Sequence, residues 1–239
     1  VKRSQVREVA DLVRPSEAPM QIALAPAPYA SGTPSLRIGT TPHPETQRSF
    51  GAGEEIFAEG DRARFFYRVV SGTVRTCRIL PDGRRQIDAF HLAGDIFGVE
   101  AGTEHRFGAE AVGEVRVIAY RRERMLLTGD DGALAQEVAA ATLRALARAQ
   151  EQMMRLGRKS ARERIASFLL DLADRMTDGM AGSLRLPMSR TDIADHLGLT
   201  VESVSRCVTQ LERDGLIALS PDRHSVRLRD RAALRHLDA

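Results

Sequence analysis

The stretch MSRTDIADHLGLTVESVSRCVTQLERDGLI, residues 188–217, decides how this chain is read. It reads as helix, turn, helix. Ser189 precedes the first periodic apolar residues and Asp192 stands three positions on, a short-acid form of the capping box in which each side chain serves the other's backbone N–H. Leu197, Gly198 and Leu199 break the pattern, because glycine takes the backbone conformation of a sharp turn, and Thr200 is the expected N-cap of the second helix. Ile193, Ala194, Leu197, Val204, Cys207, Val208 and Leu211 are spaced to meet between the two helices. That leaves Val201, Glu202, Ser205, Arg206, Thr209 and Arg213 outward on the second helix, small and polar near its start and ending in guanidinium groups. Downstream, LIALSPDRHSVRLR (216–229) gives two short strands around a turn at 220–224, a β wing with Arg223 and His224 at its tip in reach of phosphates. A helix with such a face fits the major groove of double-stranded DNA through its first turns. Glu202 is the unexpected residue, a carboxylate facing a polyanion. Lying four positions before Arg206, it shares a face with that guanidinium and can orient it.

Outside this unit, composition narrows the choices. The apolar fraction of 43% and charged fraction of 28% are those of an ordinary globular protein, long enough here for one large domain or two smaller ones. No run approaches the roughly 18 to 20 apolar residues that span a bilayer, and VKRSQVREVA has no apolar core of a secretion signal, so no membrane and a cytoplasmic location are expected. Only Cys77 and Cys207 occur, which excludes a disulfide framework and any four-cysteine metal or iron-sulfur site. The net charge of +3 lies wholly in the last third: 15 basic and 12 acidic residues from Arg155 onward, against 20 and 20 before it. This points weakly to a polyanionic partner at that end.

Four regions follow from the pattern. Residues 1–48, rich in proline, suggest an extended, partly disordered arm. Residues 49–128 carry short alternating runs such as FFYRVVSG and TVRTCRIL, punctuated by Gly60, Gly72, Gly83 and Gly94, which suggests a β-sandwich, jelly roll or barrel. Pro81-Asp82-Gly83 is a hairpin turn. Residues 129–158 form a long helix in which Ala135, Ala139, Thr142, Leu146, Ala149, Met153 and Leu156 recur at steps of four and three, a heptad seam. The seam could pack on the β domain. Leu134, Val138, Leu143 and Ala145 add apolar surface beside it, however, and a helix apolar on more than one side can face its own domain and a second subunit together, so a homodimer is expected. Residues 159–239 begin with a further helix whose Ile165, Phe168, Leu169, Leu172 and Met176 share a face, and end in the helix-turn-helix and wing.

The chain resembles the cyclic-AMP receptor protein and fumarate-nitrate reduction regulator superfamily of bacterial transcription factors, and within it the FixK branch. The resemblance covers about residue 49 to the end and rests on IFAEGD (56–61), SGTVRTCRI (71–79), FHLAGDIFG (90–98), EQMMRLGRKSARERIASFLLDLADR (151–175) and above all LTVESVSR (199–206), with its E-x-x-S-R pattern. It implies an α+β architecture: a cyclic-nucleotide-binding-type β-roll, a long dimerisation helix and a C-terminal winged helix-turn-helix. It also implies that Arg206 binds guanine of a TTGAT half-site, Glu202 accepts from a cytosine amino group, Ser205 contacts a thymine and Val201 meets a thymine methyl. The full site would be TTGAT, a short spacer and ATCAA. Ser189, Arg190, Thr191, Thr200 and Ser203 would hold phosphates. RNA polymerase would be met through β-roll loops such as residues 81–85.

The sensory half departs from its relatives. Cyclic-AMP binders of the family hold ribose and phosphate with a Glu and an Arg-Ser/Thr pair, whereas FGVEAGTEHRFGAEA (97–111) keeps Glu100 and Arg106 but follows the arginine with Phe107. No cyclic nucleotide, no cofactor and no metal are expected. Cys77 and His91 are read as structural rather than haem ligands, and Cys207 as a packing residue with oxidation a minor possibility. The expectation is a DNA-binding activator that is no enzyme and needs no diffusible effector. Two rivals stand beside it: a regulator gated by haem or a small ligand in its β-roll, and a cupin-type metalloenzyme. The second is disfavoured because a paired H-x-H with a following Glu is absent.

Overall fold

The computed structural model describes residues 46–123, 132–176 and 183–238. Eight strands come first: β1 (Thr46–Phe50), β2 (Glu55–Phe57), β3 (Phe65–Ser71), β4 (Val74–Ile79), β5 (Arg85–His91), β6 (Ile96–Phe97), β7 (Gly108–Ala111) and β8 (Val115–Arg121). They form two antiparallel sheets, ordered β1-β8-β3-β6 and β2-β7-β4-β5. The period-2 alternation explains the layering: along β8, Val115, Val117 and Ala119 turn inward while Arg116 turns out. Phe57, Tyr67, Val69, Val74, Phe97 and Ala111 complete the core between the sheets. The four glycines that punctuate the sequence all adopt positive φ. At Gly72, between β3 and β4, a Cβ would come within 2.3 Å of the Glu114 carbonyl oxygen, so no other residue fits that hairpin. The Pro81-Asp82-Gly83 hairpin also forms, closed by Gly83 N donating to Leu80 O at 2.9 Å.

The last residues assigned to the arm by sequence, Thr46 to Arg48, lie in a strand. Thr46, Gln47 and Arg48 pair with Ala119, Ile118 and Val117 as part of β1. These polar residues show no apolar alternation, which is why they read as arm. The expectation of an extended, partly disordered arm over residues 1–45 falls outside the described residues.

Helix α1 (Gly132–Arg158) runs 27 residues, about 40 Å. Its only buried residues are Val138, Ala141 and Arg155. Val138 and Ala141 dock on Phe66, Ile96 and Tyr120 of the β-roll. The heptad seam faces elsewhere: Ala139, Thr142, Leu146, Ala149 and Met153 are exposed, and only Ala135 and Leu156 near its ends are half-buried. Leu143, Leu146, Met153 and Met154 remain 54–68% exposed, an apolar surface that this single chain leaves uncovered.

Helix α2 (Ala161–Arg175) opens with a Ser160–Glu163 capping box. Arg164 donates to Leu156 O at 2.9 Å, Lys159 O at 2.9 Å and Leu197 O at 3.0 Å, satisfying carbonyls at the ends of two other helices. Then come β9 (Ser183–Arg185), α3 (Arg190–Leu197), α4 (Val201–Arg213), β10 (Ile217–Leu219), β11 (Ser225–Leu228) and α5 (Arg231–Asp238). The wing is thus three-stranded, ordered β10-β11-β9, with Val226 opposite Leu184. Its third strand and the closing helix have no counterpart in the sequence reading.

One apolar cluster joins the two halves. Ile87, Phe90 and Leu92 on and after β5, with Cys77 of β4, share a core with Ile165, Phe168 and Leu169 of α2 and with Ile193, Leu197, Val204 and Leu211 of the helix-turn-helix. Full burial of each such large side chain is worth roughly 1.5–3 kcal/mol. The C-terminal unit is therefore built partly on a strand of the β-roll.

Candidate nucleic-acid interface

Helix α3 starts where its sequence says. The Ser189 hydroxyl accepts from Asp192 N at 3.1 Å, and Asp192 accepts from Ser189 N at 3.0 Å and from the Ser189 hydroxyl at 2.8 Å. That hydroxyl proton is committed to Asp192, and the box also takes the N–H groups of Ser189 and Asp192, so the N–H groups of Arg190 and Thr191 are the ones better placed to meet a phosphate. Gly198 closes α3 in the left-handed conformation, with φ of 61°, and Thr200 caps α4 by accepting from Ser203 N at 3.2 Å. The tight turn brings α4 across α3 with Val204, Val208 and Leu211 buried.

The opposite face of α4 is open. Val201, Glu202, Ser205, Arg206 and Arg213 are exposed, and Thr209 is half-buried. The Glu202 carboxylate is held below its ordinary range, first by its own backbone N–H at the helix start, then by the Thr200 hydroxyl, and least by Arg206. It is ionised at neutral pH. Arg206 acts on it through space.

Between α4 and the wing lies a cleft of about 350 Å³, lined by Ser189 and Arg190 of α3's start, Ser205 and Thr209 of α4, and Asp222, Arg223 and His224 of the wing tip. The fold thereby brings one of the expected base contacts, Ser205, together with four of the expected phosphate contacts. Val201, Glu202 and Arg206 lie outside the cleft, toward the first turns of α4, while Thr191 and Thr200 are exposed and Ser203 half-buried. Arg190 is half-buried, and its Nη1 has no partner among the described residues. Burial, then the neighbouring Arg223, lower its pKa, yet a guanidinium stays charged. A half-buried cation with no acid partner among the described residues favours an anion from outside. Arg223 itself adopts a φ of 58°, the left-handed region, where the tight turn from Ser220 forces it. Asp222, absent from the sequence reading of the site, accepts from His224 N at 3.1 Å and from the Ser220 hydroxyl, and so shapes the tip.

Cys207 is half-buried beside the inter-helix core, and burial raises its pKa against the pull of Arg206 and Arg162. It is held as the thiol, the less reactive form. Burial and Glu110 push Cys77 up to about 11.

In the β-roll, a cavity of about 170 Å³ is lined by Thr76, Asp88, His91, Glu100 and Arg106 with Ala141 and Thr142 of α1. Glu100, its side chain nearly buried, receives Arg106 N at 3.2 Å and Arg106 Nε at 3.1 Å, and the Arg106 side chain is 75% exposed. Burial raises the pKa of Asp88. His91 contacts the Thr76 hydroxyl at 3.1 Å and stacks on Phe97, while His105 stacks on Phe57. Burial lowers the pKa of both histidines.

Comparison with known proteins agrees with this geometry. The cyclic nucleotide-binding domain family matches residues 47–128 and the Crp-like helix-turn-helix domain family matches residues 163–237. The nitrogen fixation regulation protein FixK of Azorhizobium caulinodans is 49% identical over 198 residues, covering 81% of this chain and 79% of that protein. The transcriptional activatory protein AadR of Rhodopseudomonas palustris is 39% identical over 202 residues, covering 77% of this chain and 81% of that protein. The structure of FixK2 from Bradyrhizobium japonicum superposes with a TM-score of 0.75 at 45% identity, over 81% of this chain and 97% of that one. With both domains in order and the reading helix in place, the chain belongs to the cyclic-AMP receptor protein and fumarate-nitrate reduction regulator family of transcription regulators, on its FixK-like branch.

Proposed function

We propose that the chain is a homodimeric transcription activator that binds a TTGAT, spacer, ATCAA palindrome without a diffusible effector and serves genes of low-oxygen respiration, denitrification or nitrogen fixation. The observation that carries this reading is the outward face of α4. Val201, Glu202, Ser205 and Arg206 stand exposed over a fully packed inner face, beside a cleft whose Arg190 has an unpartnered guanidinium nitrogen. Arg206 reads guanine, Glu202 accepts from cytosine, and Ser205 and Val201 meet thymines. Arg190, Arg223 and His224, with the N–H groups at the starts of α3 and α4, hold phosphates and set the register.

The exposed seam of α1 supports the dimer, since an uncovered stripe from Ala139 to Met153, about 21 Å or four turns of helix, wants a partner of the same shape. Effector independence is supported by the β-roll cavity. The arginine that would hold a cyclic phosphate is already bound by Glu100, with most of its side chain exposed. Of the gene classes, nitrogen fixation is supported by the names of the FixK relatives, and low-oxygen respiration and denitrification rest on the family resemblance alone. RNA polymerase would be met by the exposed tip, residues 81–84, but not by Arg85, which is occupied within the chain.

Gel-shift titration of purified protein, with no ligand, on the palindrome and on a scrambled site tests this reading. The palindrome is expected to bind tighter, and Arg206→Ala to lose about 1–3 kcal/mol of discrimination at the G·C pair while keeping weak binding in low salt. Equal affinity of the unaltered protein for the scrambled site refutes it.

A further inference from the structure

The β-roll grips the helix-turn-helix through charged groups that the DNA-facing site does not use. Arg75 on β4 donates from Nε to Glu110 at 2.9 Å and from Nη1 to Asp192 at 3.1 Å. Arg85 on β5 donates from Nη2 to the same Asp192 oxygen at 2.6 Å and from Nε to Asp195 at 2.8 Å. The side chain of Asp192 is only 5% exposed, and those of Arg75 and Arg85 are 14% and 23% exposed. Asp192 is also the capping residue of α3, so one carboxylate closes the helix start with one oxygen and receives two guanidinium groups with the other. The far end of α3 is held as well: His196 Nδ1 lies 3.1 Å from Ile87 O, and Gln152 of α1 donates to His196 O at 2.8 Å.

We propose that Arg75 and Arg85 are positioning residues for DNA recognition, clamping the start of α3 to the β-roll and so fixing where the reading helix stands relative to α1. Partly buried ion pairs add little net stability, because desolvation offsets their attraction, but forked guanidinium contacts define one arrangement sharply. Helix α4 follows α3 through the Gly198 turn and their shared core. In a dimer joined along α1, the clamp therefore sets the separation of the two reading helices and with it the half-site spacing that both can engage. This inference rests on the dimer and palindrome proposed above, and it concerns spacing rather than base choice.

The test uses the full chain as the unaltered protein, the Arg75→Gln/Arg85→Gln double variant and the charge-exchanged Arg85→Asp/Asp195→Arg variant, with folding checked by circular dichroism. Affinity is measured for palindromes whose spacer differs by one or two base pairs and for a single half-site. Pulsed electron resonance between spin labels at Val70 and Gln210, in a Cys207→Ser background diluted with unlabelled protein, reports the distance from β-roll to α4 without DNA. The unaltered protein is expected to prefer one spacer by roughly tenfold and to show one narrow distance. The double variant should lose that preference, keep half-site affinity within roughly twofold and show a broadened distance, and the charge exchange should restore part of both. If the double variant keeps a narrow distance, the clamp is refuted. It is refuted equally if the distance broadens but the spacer preference survives. If the unaltered protein binds no palindrome at all, the proposed function falls instead, and the distance measurement still decides whether the arginines hold α3.

Discussion

His196 should make the stability of this protein depend on pH in a way that can be assigned to one side chain. It lies on α3 with its Nδ1 3.1 Å from Ile87 O and its ring against Phe90 and Phe168. Burial pushes its pKa down to about 4, the Ile87 carbonyl and Asp171 pull the other way, and Arg155 and Arg175 add to the depression. In the unfolded chain the imidazole titrates near 6.5. Below that value the unfolded state binds a proton that the folded state refuses, so stability falls as pH drops from about 6.5 toward 4. At pH 5.0 the loss relative to pH 7.5 is about 2 kcal/mol, and about 3 kcal/mol when pH 4 is reached. Urea midpoints at pH 7.5 and 5.0, at one fixed protein concentration, give the measurement. His91, also pushed down to about 4, works in the same direction, so the decisive quantity is the difference between the unaltered protein and His196→Phe. The variant is expected to be less stable at pH 7.5, having lost the Ile87 contact, yet to lose about 2 kcal/mol less on acidification. A variant as acid-sensitive as the parent refutes the reasoning.

Two further outcomes are expected. Arg190→Ala should weaken binding to all sequences alike and reduce the slope of log affinity against log salt by about 1, read from gel shifts between low and moderate salt, because it removes a phosphate contact and no base contact. Leu146→Glu/Met153→Glu should convert a dimer to a monomer in sedimentation analysis and abolish preference for a palindrome over a half-site, while leaving the fold by circular dichroism unchanged, since both side chains are exposed in the single chain.

What the sequence made legible was local. The Ser189–Asp192 box, Gly198 and Thr200 act over three or four residues, and each turned up in its expected role. The alternating steps of α1 and the turn glycines of the β-roll are periodic signals of the same kind. Long-range pairings left no such mark. Strand β9 is three residues that become a strand only by meeting β11 some forty positions later, and Arg75 finds Asp192 across 117 positions. Arg85 illustrates the cost of reading locally: beside a surface hairpin it looked available to a partner, whereas its guanidinium is spent on α3. Thr46–Arg48 were misplaced for a related reason, because an edge strand of polar residues is recruited by β8 rather than by its own pattern.

The apolar cluster that runs from β5 into the helix-turn-helix has a consequence for how such regulators diversify. A reading head that borrows Ile87, Phe90 and Leu92 from the preceding half cannot be grafted onto another sensor as a free-standing cassette. Cut at residue 159, both fragments would expose the surface that each had hidden. On the proposed reading of DNA by α4, changes of target site are then most readily made on its outer face, one exposed side chain at a time, with the rest of the chain inherited as a single piece.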